Sequence, residues 1–103
     1  MSRYEGRRTK AGAIVTVNGE ILDPRFDLQN HSPSGFEWGY AGSGPAQLAL
    51  AILADYLKDD VQAINLHQRF KWTVIAGLPE TWTLTGGEVE RAIQSIIRLE
   101  KGA

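Results

Sequence analysis

From Leu48 to Ala54 every side chain is apolar, and the run follows directly on Gly42-Ser-Gly-Pro45. A helix with no polar stripe through its middle is covered on most sides. The run is also far short of the roughly 20 apolar residues that span a bilayer. It therefore predicts the central helix of one small core, over about 45–58, which the rest of the chain must cover. The glycine turn fixes where that helix starts. Pro45 fits the first helical position, where its missing N–H costs nothing. Gly44 is then the N-cap, and Gln47 stands two residues after the proline.

The upstream half supplies a sheet. Residues 3–9 allow a short strand interrupted by Gly6. Ala13-Ile-Val-Thr-Val17 is β-branched and reads as a strand. Asn18-Gly19 follows it, and both central positions of a type I′ turn need positive φ. The reading is a hairpin, 13–17 against 20–23. Pro24 ends it, because proline has no ladder donor. Residues 24–35 form a connecting loop of unusual length, with Phe26 and Leu28 as its anchors to the core. Phe36-Glu-Trp-Gly-Tyr40 alternates, which places Phe36, Trp38 and Tyr40 on one face of a third strand, 36–40.

The downstream half supplies two more helices. Asp59 and Gln62 fit a capping box, and Ala63, Leu66, Phe70 and Val74 recur at helical spacing. Gly77 and Pro79 give a stop, so the second helix covers about 60–76. Arg69-Phe-Lys-Trp-Thr-Val74 also alternates like a strand; the caps at both ends favour helix. Thr81–Leu84 is a short extended piece. Thr85-Gly-Gly-Glu88 is a second capping box, opening a helix over 86–100 with Val89, Ala92, Ile93, Ile96 and Leu99 on its buried face. The fold class is α+β: an N-terminal antiparallel sheet packed on three helices, in a single domain over residues 1–103.

Charge and composition narrow the functions. Eleven basic and twelve acidic residues give a net charge of −1, which argues against nucleic acid held by bulk electrostatics. Arg3, Arg7, Arg8 and Lys10 make a local basic arm, read either as a phosphate contact or as a charged edge strand. With no cysteine there is no disulfide, as suits a reducing cytosol. No secretory leader is evident. His31 and His67 have no neighbour at metal-ligand spacing, so no metal and no cofactor is expected. Ser32, Ser34 and Ser43 lack a nucleophile elbow. Asp23 and Asp27 read as turn residues. No catalytic set is legible.

Two binding readings remain. A helix N-terminus with glycines around it admits an anion, although Gly42-Ser-Gly-Pro45 lacks the lysine of a P-loop. A phosphorylated small molecule or nucleotide would sit at Gly42, Ser43, Gly44 and Gln47. Trp38 or Tyr40 would stack on it, and Arg7, Arg8 or His31 would close on the anion. The second reading is a protein partner or homo-oligomer. Trp72 falls off the apolar line of its helix, and with Arg69 and Lys71 it has the composition of an interface.

The stretch His31–Leu53, with Gln68-Arg-Phe-Lys71, Gly77-Leu-Pro79 and Trp82-Thr-Leu-Thr85, resembles an uncharacterised family of small bacterial, plasmid and phage proteins. The resemblance covers most of the chain and is most specific over Trp38-Gly-Tyr40 and Gly42–Leu48. It implies a cytoplasmic protein of mobile-element type that acts by binding. It supplies no catalytic residues.

Overall fold

The computed structural model describes residues 2–102. Its strands are β1 (Arg3–Thr9), β2 (Gly12–Val17), β3 (Glu20–Ile21) and β4 (Trp82–Thr85). They form one antiparallel sheet in the order β3-β2-β1-β4. Three helices accompany it: α1 (Ser43–Leu57), α2 (Asp60–Thr73) and α3 (Gly86–Gly102). The α+β class read from the sequence is the class observed.

The hairpin turns where its residues require. Asn18 and Gly19 both have positive φ, 51° and 84°, the type I′ pattern that twists with its strands. The basic segment is β1, an interior strand bonded on both sides, and not an exposed edge. Gly6 does not interrupt it. A Cβ on Gly6 would stand 2.3 Å from the Trp82 ring, so the glycine makes room for that indole. Residues of β1 alternate between faces. Tyr4 and Gly6 point to the helices with Val15, Trp82 and Leu84, while Arg3, Glu5 and Arg7 point outward.

Helix α1 is the axis of the core. Its residues Gly44 to Ala54 are all buried. Leu48, Leu50, Ile52 and Leu53 alone contribute about 6–12 kcal/mol of gross transfer free energy, as much as the whole net stability of a typical domain. Tyr4, Trp38, Phe70, Ile75, Trp82, Val89, Ile93 and Ile96 close around it. The Tyr4 hydroxyl donates to Asp55 Oδ2 at 2.6 Å, which ties the central strand to the end of α1.

Several sequence-predicted boundaries move. Residues 36–40 are not a strand. Gly39 takes φ 84° and donates its N–H to the Ile75 carbonyl at 3.0 Å, which turns the chain toward the end of α2. The place beside β1 belongs to β4 instead. Helix α1 starts two residues earlier than expected: Gly42 is the N-cap, Pro45 stands at the third helical position, and Gly44 is inside the helix. The proline is equally harmless there, since the first four N–H groups have no partner in the helix. Helix α2 ends at Thr73, and a 3-10 turn over Ile75–Gly77 follows, because Ile75 is drawn into the core. Of the two loop anchors, Leu28 packs on the core and Phe26 is exposed.

Candidate functional site

The glycine-rich turn and the residues expected to join it do not converge on an open site. Gly42 presents an extended backbone and no capping side chain, and Ser43 is exposed. Gly44 is buried: a Cβ there would stand 2.7 Å from Glu37 Cβ. The glycine admits the protein's own chain, and Glu37 brings an acidic side chain against the first turn. The Tyr40 ring lies over Gly42, where a Cβ would meet it at 2.6 Å. Tyr40 is itself half exposed.

Trp38 is buried, with its indole edge-on to Trp82 at 5.6 Å between centroids. The Arg8 guanidinium covers its ring at 4.6 Å, a cation–π contact. Neither face of Trp38 is left for a base. Arg8 is held in place by acids, donating to Glu80 Oε2 at 2.6 Å, to Glu37 Oε1 at 2.8 Å and to the Trp38 carbonyl. The hydrogen bonds to Glu80 and Glu37 raise its pKa further above the guanidinium range. Two carboxylates on one cation leave a net negative cluster. Arg7 lies on the opposite face of the sheet, beside a shallow hollow of about 230 Å³.

Gln47 is fully buried and uses its amide internally. Its Oε1 accepts from the N–H groups of His31 and Ser32, at 2.7 and 3.3 Å. Its Nε2 donates to the carbonyls of Pro24 and Gln29, at 2.6 and 3.0 Å. All four hydrogen-bonding positions of the side chain are filled. Gln47 is therefore the clasp of the loop 24–35. The His31 ring meets His67 on α2, Nε2 to Nε2 at 3.0 Å.

The other expected site is open. Trp72 is 66% exposed, and Leu99 of α3 is 72% exposed. Between them lies a cleft of about 650 Å³ lined by Arg69, Trp72, Thr73, Ile96, Leu99 and Glu100. Arg69 and Glu100 form an ion pair across its rim. Lys71 Nζ lies 5.1 Å from the Trp72 ring centroid. Trp72, Arg69 and Lys71 were legible as a group; Leu99, Ile96 and Glu100 were not. Leu99 continues the apolar stripe of Ile93 and Ile96, so its spacing reads as core. What the stripe does not reveal is that, among the described residues, none covers Leu99 at this end of α3.

A third hollow, of about 490 Å³, separates the β2–β3 hairpin from the α1–α2 connection. Arg25 at its edge is bound by Asp27 and Asp60, which raise its pKa in that order. Among the described residues no three His, Asp or Glu side chains group to hold a metal ion. No helix there is long and apolar enough to cross a membrane.

A model of a family of unknown function, DUF6166, matches residues 4–95. The chain belongs to this family. The match takes in the four strands except Arg3, the glycine turn, Trp72 and most of α3, so the α+β fold described here is that of a DUF6166 member. No curated protein and no solved structure matches it.

Proposed function

We propose that the protein acts by binding another protein through the α2–α3 face. The observation that carries the reading is the pairing of two large, mostly exposed apolar side chains, Trp72 and Leu99, across one cleft. Isolated surface apolar residues need no explanation, but a contiguous patch with a polar rim does. Trp and Arg are the side chains that dominate interface energetics. Arg69, Lys71 and Glu100 frame the patch and would orient a partner offering an apolar side chain flanked by carboxylates. The protein is read as a cytoplasmic, non-enzymatic product of a phage or other mobile element, with a host factor or defence component as its target.

The alternative is a phosphorylated small molecule or nucleotide at Gly42–Gln47. It draws less support, because Trp38, Arg8 and Gln47 are engaged within the fold and Glu37 brings negative charge to the helix start. The test is a comparison of baits. Wild-type protein and the variant Trp72→Glu are used to capture partners, and the recovered protein is purified and titrated by calorimetry. Loss of a hot-spot side chain is expected to weaken binding by about 30-fold or more, the equivalent of about 2 kcal/mol. Equal affinity of wild type and Trp72→Glu would remove the reading.

A further inference from the structure

His31 and His67 carry an arrangement that the α2–α3 face does not use. His67 lies buried on α2, and His31 is half-buried in the loop. Nδ1 of His67 stands 2.7 Å from the Ile64 carbonyl. A carbonyl only accepts, so Nδ1 carries the proton, and the neutral ring offers Nε2 as a lone pair. That lone pair faces His31 Nε2 at 3.0 Å. His31 must then be the Nε2–H tautomer, and it shares this proton with Gln29 Oε1 at 2.8 Å. One proton lies between the two imidazoles, and the contact joins the loop to α2.

We propose that residues 24–35 are a proton-operated latch, closed on α2 while His67 is neutral and released when its Nε2 takes a proton. A proton added to His67 must take its Nε2 lone pair. It then sets N–H against the Nε2–H that His31 also gives to Gln29, and the contact fails.

The surrounding charges do nothing to relieve this. Lys71 follows His67 by one turn on α2. Between Gly44 and Ala54, α1 has no ionisable side chain, and neither has the 3-10 turn. Helix α3 meets α2 through Arg69 and Glu100. In the loop, Arg25 is closed on Asp27 and Asp60. Among the described residues no carboxylate bonds to either ring. Burial, above all, holds the His67 pKa below the ordinary imidazole value; the Ile64 carbonyl opposes the shift, and His31 and Lys71 add to it.

With the latch open, His67 regains an ordinary imidazole pKa near 6.5. Between that pH and its lowered value, the open form binds more protons. Opening therefore grows as pH falls, by up to about tenfold per pH unit, and levels off below the lowered value.

The test is amide hydrogen exchange by NMR on the whole chain, from about pH 7.5 down to about pH 5, corrected for intrinsic exchange. The amides of His31 and Ser32, which donate to Gln47, report the loop. Those of the β1–β2 ladder report the whole fold. The loop amides are expected to be less protected than the ladder at every pH, and to lose up to about tenfold per unit below pH 6.5. His67→Gln, an acceptor that does not titrate, is expected to flatten that slope, and His67→Asn, which does not titrate either, serves where His67→Gln does not fold. Loop protection independent of pH in the wild type overturns the proposal. So does a single protection factor shared by loop and ladder, because the pair would then break only with the whole fold.

Discussion

Replacing Gln47 with leucine tests how the long loop is seated. The side chain is fully buried and makes four hydrogen bonds, all to loop backbone. Leucine fills a similar volume and leaves two N–H and two C=O groups without partners. A buried polar group left unpaired costs about 1–3 kcal/mol. The loop can retreat to let water reach some of the four, so about two remain dry. Burying leucine in place of an amide returns about 1–2 kcal/mol. At about 2 kcal/mol for each of the two, the expected net loss is about 2–3 kcal/mol, a large share of a typical domain's roughly 5–15 kcal/mol. Urea unfolding followed by tryptophan fluorescence reads it directly, because Trp38 and Trp82 are buried. With an m-value of about 1–3 kcal/mol per molar urea, the midpoint should fall by about 1–3 M. Gln47→Glu refines the test. The carboxylate still accepts from His31 and Ser32 but opposes the Pro24 and Gln29 carbonyls, so it should be at least as damaging at neutral pH. A Gln47→Leu variant within about 0.5 kcal/mol of wild type would refute the reasoning, for the loop would then be held by something else.

Four further outcomes are expected. Gly6→Ala should destabilise by about 1–3 kcal/mol through overpacking and change the near-UV circular dichroism of Trp82, because the added methyl would stand 2.3 Å from its ring. Trp72→Ala should leave stability within about 0.5 kcal/mol, as exposed substitutions do, even though it removes the main apolar group of the cleft. Thr85→Ala should cost about 1 kcal/mol in urea unfolding, since Thr85 Oγ1 accepts from Glu88 N at 3.2 Å and Glu88 Oε1 accepts from Thr85 N at 3.0 Å. Burial, and then the bond to Asp55, raises the Tyr4 pKa well above 10. The unfolded chain releases this proton first, so stability should be insensitive to Tyr4 below about pH 10 and fall above it. Tyr4→Phe should remove that part of the alkaline loss, measured as the pH dependence of the urea midpoint.

The elements with strong local signals were legible, and the parts set by distant partners were not. Asn18-Gly19 specified its turn, the two capping boxes specified their helices, and the apolar run Leu48–Ala54 specified the centre. Residues 36–40 misled because alternation cannot distinguish a strand from an extended segment fixed by other contacts. There Gly39 bonds to Ile75, and Trp38 packs between Arg8 and Trp82. Residues 3–9 read as an edge because nothing local shows that residues 82–85 return to pair with them. The glycine turn looked open for a related reason. A glycine that admits a ligand and one that admits Glu37 leave the same trace in a sequence. Gln47 was legible as polar and close to a helix start, but its four partners are 15 to 23 residues away. The exposure of Trp72 was legible, because departure from a helical stripe is itself local.

The proposal to be decided is binding through the α2–α3 face against binding at the glycine turn. Calorimetry of a captured and purified partner against three proteins decides it most directly: wild type, Trp72→Glu and Tyr40→Ala. Trp72→Glu is expected to lose about 30-fold or more in affinity while Tyr40→Ala binds like wild type. Unchanged binding by Trp72→Glu, with the loss at Tyr40→Ala instead, would contradict it and return the function to the start of α1.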